Sequence, residues 1–126
     1  MVDRKIKILL VDDEKGLLSN LVRFFEDDEF EVLAASTGEE AIAMLAKEQV
    51  DVGVVDMRLP GIDGNEVILQ AHQMQPLIKF IIHTGSTEYC LPSALKELGI
   101  CDEQIFLKPV KDLGALSEAI RKLVME

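Results

Sequence analysis

Apolar residues come in short blocks with two different periods. Ile6 to Val11, a nearly unbroken apolar run ended by Asp12-Asp13-Glu14, predicts a strand covered on both faces. Leu17, Leu18, Leu21, Val22, Phe24 and Phe25 then recur at helical spacing, up to the acidic run Glu26 to Glu29. A second strand, Phe30 to Ala35, precedes Thr37 and Glu40, whose three-residue spacing is that of a capping box opening a helix through Ala41, Ile42, Leu45 and Ala46. Val50 to Val55 predicts strand three, and the turn-rich Pro60-Gly61-Ile62-Asp63-Gly64 leads into a helix marked by Val67, Ile68 and Ala71. Phe80-Ile81-Ile82 is strand four. The fourth helix is expected from about Leu91, with Pro92 in its first turn, to Gly99. Gln104 to Leu107 is strand five, and Leu113, Leu116, Ala119, Ile120, Leu123 and Val124 line one face of a last helix.

Strands alternating with helices imply a parallel sheet with right-handed crossovers and helices on both faces. Five such units give an α/β, flavodoxin-like (βα)5 three-layer sandwich with strand order 2-1-3-4-5. The whole chain, residues 1–126, reads as one domain, without linker or low-complexity stretch. In that order strands one and three are neighbours, and the ligand crevice lies at their carboxyl ends. Asp12, Asp13 and Asp56 fall there.

Composition narrows the function. A chain of 126 residues, 48% hydrophobic and 29% charged, can bury a core of its own and lacks the signature of disorder. A formal net charge of -10 opposes direct binding to nucleic acid or to an anionic membrane surface. No apolar stretch approaches the ~20 residues of a membrane span, and the start leads into a strand-like run rather than a cleavable signal, so a cytoplasmic location is expected. Cys90 and Cys101 lack CxxC spacing and a neighbouring His cluster, and buried free thiols are expected ahead of a partly exposed redox pair. His83 reads as a satisfied core or site-edge histidine, His72 as a solvated one, Asp63-Gly64 as a turn before helix three, and Gly53 as room for a packed helix.

Carboxylates gathered in one crevice repel; a pair about 4 Å apart costs roughly 4 kcal/mol at an effective dielectric near 20. Hard oxygen ligands with open positions suit Mg2+, which also accepts phosphate oxygens. Lys108, at the end of strand five, brings an ammonium toward the same crevice, and Thr84, at the end of strand four, a hydroxyl. A carboxylate nucleophile with metal and lysine is the layout for forming an aspartyl phosphate, and Asp56, standing singly, is the candidate nucleophile.

These motifs, Leu10-Val11-Asp12-Asp13, Val54-Val55-Asp56 with Leu59 to Gly64, His83-Thr84-Gly85 and Lys108-Pro109, resemble the receiver domain of two-component response regulators. The resemblance implies that Asp56 is the phosphoacceptor, with Asp13 a direct Mg2+ ligand and Asp12 acting through water. It gives the Arg58 backbone carbonyl as a further ligand, Thr84 as a switch hydroxyl, Lys108 as a phosphate contact and a Lys108-Pro109 bond that is often cis. It implies a phosphorelay signalling protein that is not an enzyme in its own right. Its donor would be a sensor histidine kinase or a histidine phosphotransfer protein. It would signal to a downstream protein target, with a homodimer through the face of helix four, strand five and helix five as the self-association the family allows. The aromatic residue the family often carries three positions before the lysine is here Ile105, followed by Phe106. With nothing predicted after the last helix, the chain reads as a stand-alone regulator or as a piece of a larger regulator or hybrid kinase.

Rival readings differ in what the motifs require. A Mg2+-dependent phosphohydrolase working through an aspartyl phosphate would carry alternate aspartates in its first acidic motif and a cap domain. A flavin carrier would need a hydroxyl- and glycine-rich loop where Asp12-Asp13-Glu14 stands. A receiver-like scaffold that is never phosphorylated would be expected to have lost a member of the acidic set.

Overall fold

A computed structural model describes residues 4–125. Strands β1 (Lys7–Val11), β2 (Glu31–Ala35), β3 (Val52–Val55), β4 (Lys79–Thr84) and β5 (Ile105–Leu107) form one parallel sheet in the order β2-β1-β3-β4-β5. Helices α1 (Lys15–Asp27), α2 (Gly38–Leu45), α3 (Gly64–Met74), α4 (Ser93–Lys96) and α5 (Leu113–Met125) make the connections, giving the expected flavodoxin-like sandwich.

Alternation along each strand sorts its side chains into two cores, one per face of the sheet. Leu9, Val11, Val55, Phe80 and Ile82 pack with Ala41, Leu45, Val67, Ile68 and Leu95 on the side of α2, α3 and α4. Ile8, Leu10, Val52, Val54 and Ile81 pack with Leu18, Leu21, Phe25, Leu116 and Ile120 on the side of α1 and α5. The inner strands are therefore apolar through their middles, with Lys7 and Lys79 at their starts and His83 and Thr84 at the end of β4, and each fully buried Leu, Ile or Phe adds about 1.5–3 kcal/mol.

Several local readings change. Thr37 caps α2 by accepting from Glu40 N at 3.0 Å, but the reciprocal arm of the capping box is displaced: Glu40 Oε1 accepts from Ser36 N at 2.7 Å rather than from the cap itself. Helix α4 is one turn, shorter than expected. Pro92, with ψ 152°, precedes the helix as its cap instead of entering it, and Gly99 adopts φ +93°, so little chain remains between the two breaks. Gly53 makes room for a strand neighbour, not a helix: a Cβ there would lie 3.3 Å from the ring of Phe80, its partner across β3 and β4.

The end of the sheet away from Asp56 is tied by buried polar groups. Gln75, just past α3, accepts from Val50 N at 2.9 Å and donates to Leu45 O at 3.0 Å and Glu48 O at 2.8 Å. Beside it Asp51 accepts from Lys7 N at 2.8 Å and from both guanidinium nitrogens of Arg4. Replacing Gln75 by Ala strands three backbone groups, and we expect a loss of about 2–4 kcal/mol with an unchanged urea m-value. A loss under about 1 kcal/mol in urea unfolding would mean that water replaces the amide.

Candidate functional site

Strand register assembles the site before any side chain is considered. Val11 is paired with Val55, and the hydrogen-bond ladder runs one residue past the strands: Asp12 N donates to Ala35 O at 3.1 Å, Asp56 N to Val11 O at 3.0 Å and Lys108 N to Thr84 O at 2.8 Å. Residues that follow separate strands are thus held shoulder to shoulder at one edge of the sheet. Asp12, Asp13 and Asp56 each present a carboxylate oxygen to one locus, all within 4.8 Å of one another. Asp12 and Asp56 are 2% and 5% exposed, whereas Asp13 is exposed.

Lys108 supplies the local positive charge. Its Nζ lies 2.8 Å from Asp12 Oδ2, 3.2 Å from Glu14 Oε1 and 3.3 Å from Asp56 Oδ2. The Lys108–Pro109 peptide is cis. Burial pushes the Asp56 carboxyl up from its ordinary value, against the opposing pull of the Arg58 amide and of Lys108. Burial also works against the Lys108 ammonium, but Asp12 first, then Asp56 and Glu14, outweigh it and hold its pKa above the usual lysine value. The remaining oxygens are committed differently. Asp12 Oδ1 accepts from Glu14 N at 2.9 Å and Asp56 Oδ1 from Arg58 N at 3.2 Å. Asp12 Oδ2, although buried, accepts no aligned hydrogen bond, so its only partner is the charge of Lys108.

That orphaned oxygen fits a divalent cation. Three carboxylates around one ammonium leave negative charge in excess, and hard oxygens suit Mg2+. Thr84, fully buried, accepts from Ser86 N at 3.2 Å, which is the backbone-bonded state of a strand-end hydroxyl.

The loops around this cluster hold each other by close approach. A Cβ on Gly64 would strike the Asp56 carbonyl and lie 2.7 Å from Met57 Cα, so the first residue of α3 must be glycine for the Asp56 segment to sit as it does. Asp63 caps the same helix by accepting from Glu66 N at 2.9 Å, the structural role expected of Asp63-Gly64. Glu39 at the start of α2 accepts from Ile62 N at 3.2 Å, and Gly61, at φ +76°, leaves room for that carboxylate. Tyr89 donates to Asn65 Oδ1 at 3.0 Å, joining the β4–α4 connection to the first turn of α3. Neither Glu39 nor Tyr89 carried a sequence signal, because their partners are brought to them only by the tertiary fold. Glu14 was visible only as the tail of an acidic run; its contact with Lys108 spans 94 residues.

Two expectations, for His83 and for the cysteines, are corrected. His83 is 3% exposed as expected, but its Nε2 makes no hydrogen bond, although the ring borders a cleft shared with Glu14, Asn20 and Lys108. Cys90 and Cys101 are both exposed, because they lie in the connections flanking the one-turn α4 rather than in a packed element. Ile105 packs into the core beneath α4, while Phe106 belongs to the opposite core, so the aromatic ring next to the family's usual position faces the other side of the sheet.

Burial, followed by the nearby Lys108, holds the His83 pKa below its ordinary value. The unfolded chain therefore takes up a proton near pH 6.5 that the folded chain refuses, so His83 makes stability fall as pH drops through that value. Urea midpoints between pH 8 and pH 5 should decline in the wild type and decline less in His83→Leu. Parallel profiles would contradict this assignment.

A cleft of about 410 Å3, bordered by Glu14, Leu17, Asn20, His83, Lys108 and Val110, opens beside the acidic cluster between α1 and the β5–α5 connection. The larger hollow, about 640 Å3, lies at the far end near Arg4 and Gln75, away from this chemistry.

Comparison with known proteins bears on the same residues. Positions 8–121 match the family described as response regulator receiver domain. The chain is 32% identical over 116 residues to sporulation initiation phosphotransferase F of Bacillus subtilis, covering 92% of this chain and 91% of that one. It is 37% identical over 82 residues to the alkaline phosphatase synthesis transcriptional regulatory protein PhoP of the same organism, of which it spans only 34%. Among solved structures, a CheY-like receiver domain protein from Methanospirillum hungatei JF-1 superposes with a TM-score of 0.80 at 28% identity, with 94% of each chain covered. Response regulator TrrA of Thermotoga maritima, solved in complex with Mg(2+)-BeF, gives 0.78 at 27% identity and covers 94% of this chain and 98% of its own.

Proposed function

The chain belongs to the response regulator receiver domain family of two-component systems, and from that membership we propose that Asp56 is its phosphoacceptor, beside Mg2+ held by Asp13, Asp56 and the Arg58 carbonyl, with Asp12 acting through water. The observation that carries this reading is the convergence of three carboxylates and Lys108 at adjoining strand ends, with Asp56 single, buried and linked to the ammonium. Asp56 Oδ2 attacks the phosphorus of the donor; the bond from phosphorus to the donor atom breaks and its electron pair leaves with the donor. Lys108 and neighbouring backbone amides neutralise the transferred oxygens, and Thr84 turns from Ser86 toward them. A bound Mg2+ would supply charge neutralisation for the same oxygens. We take the protein as a phosphoacceptor rather than a turnover enzyme, acting in the cytoplasm. Its donors would be a sensor histidine kinase or a histidine phosphotransfer protein, and its output a protein contact.

The phosphoryl group adds about 1.5–2 negative charges next to Thr84 and Lys108, enough to bias two packings of the β4–α4 connection. The test is intact-mass analysis after incubation with a small phosphodonor. One phosphoryl group should be gained with Mg2+ and none with a chelator present. Absence of any gain in the presence of Mg2+ would remove this reading.

A further inference from the structure

Resting on that reading of Asp56, we infer that Glu14 is a positioning residue: it retains the Lys108 ammonium at the mouth of the crevice and competes for it with the incoming phosphoryl group. Three carboxylates share this ammonium, but they are not equivalent. Asp12 and Asp56 are buried and belong to the set that fits a cation; Glu14, with 64% of its side chain exposed, lies outside that set. Once the first two are committed to a divalent cation, their attraction for Lys108 is offset, and a +2 charge nearby repels the ammonium. Glu14 is then the carboxylate still able to hold it. The backbone fixes where this happens, because the Glu14 amide is bonded to Asp12 Oδ1 and Glu14 itself precedes the first turn of α1.

The ammonium, 3.2 Å from Glu14 and 3.3 Å from Asp56 Oδ2, is therefore shared between Glu14 and the place where phosphate oxygens must meet it, and a donor must draw it off Glu14. An exposed ion pair of this kind is worth at most about 1 kcal/mol, so the effect is a few-fold and falls on donor capture rather than on bond breaking. Removal of the carboxylate should lower the half-saturating donor concentration and leave the maximal rate in place.

The experiment measures phosphoryl gain against the concentration of a small phosphodonor with saturating Mg2+, in wild type, Glu14→Gln and Glu88→Gln. Glu88 is an exposed acid of the β4–α4 connection, outside the proposed catalytic and metal-binding set. Glu14→Gln should lower the half-saturating concentration about two- to fivefold with an unchanged maximal rate. Glu88→Gln, which removes the same charge without that contact, should shift it less. Equal shifts in both variants, or no shift in Glu14→Gln, would overturn the inference. Nitrogen NMR of the Lys108 ammonium gives an independent readout without phosphorylation. On adding Mg2+ the signal should stay protected from exchange in the wild type and lose that protection in Glu14→Gln; identical behaviour in the two would also overturn it. Failure of the wild type to gain mass would strike the Asp56 reading instead, and the NMR comparison would still decide the role of Glu14.

Discussion

Asp56→Asn should abolish phosphoryl uptake completely and, at the same time, make the metal-free protein more stable. The chemical half follows from the nucleophile: a neutral amide oxygen at this place has lone pairs but not the negative charge of a carboxylate, and is far too weak a nucleophile toward phosphorus. The stability half follows from burial. The Asp56 carboxyl is pushed up in the fold, so between the ordinary carboxylate pKa and its raised value the folded state holds a proton that the unfolded chain releases. Its stabilising contribution is present in acid and lost as pH rises, and at neutral pH the ionised group is a cost. Asn removes that cost, while Lys108 keeps Asp12 and Glu14 as partners. A gain of about 1 kcal/mol in chelator is expected from urea or thermal unfolding. Retention of the mass increase in the variant would place the modification on another residue, which peptide mapping would identify.

Lys108→Met should have the opposite sign and a larger size. Methionine keeps much of the stem but leaves Asp12 and Asp56 facing each other without a counter-charge, and breaking a buried pair from one side costs about 3–5 kcal/mol. The loss should depend on metal. In the wild type a cation entering the cluster works against a resident ammonium; in the variant it does not, so apparent Mg2+ affinity should rise about tenfold and the gap in melting temperature should narrow as Mg2+ is added. A gap that stays constant across Mg2+ concentrations would mean that Lys108 stabilises the fold by packing alone.

Much of this was legible in residue order. Runs such as Ile8 to Val11 and Val52 to Val55 announce inner strands because both faces of a parallel sheet are covered, and the strand order then brings Asp12 and Asp56 together. Thr84 and Lys108 could be placed at strand ends for the same reason. What could not be read were contacts between exposed or loop side chains far apart in sequence. Glu14 with Lys108, Glu39 with Ile62, and Tyr89 with Asn65 depend on loop paths that no periodicity encodes. The length of α4 is not encoded in its apolar pattern, because Pro92 and Gly99 act as stops whose spacing, rather than presence, limits the helix. For His83 the burial follows from its strand, but whether a buried imidazole finds a partner depends on neighbours from other elements.

The three bonds of the Gln75 amide, with the Arg4 and Asp51 pair beside them, make the sheet's lower end a foundation, while the upper end is built from connections. A new charge at Asp56 is therefore expected to deform the structure like a beam clamped at its base, with displacement growing toward the rim. A binding protein docked underneath would be blind to the signal, whereas one gripping the rim would sense it.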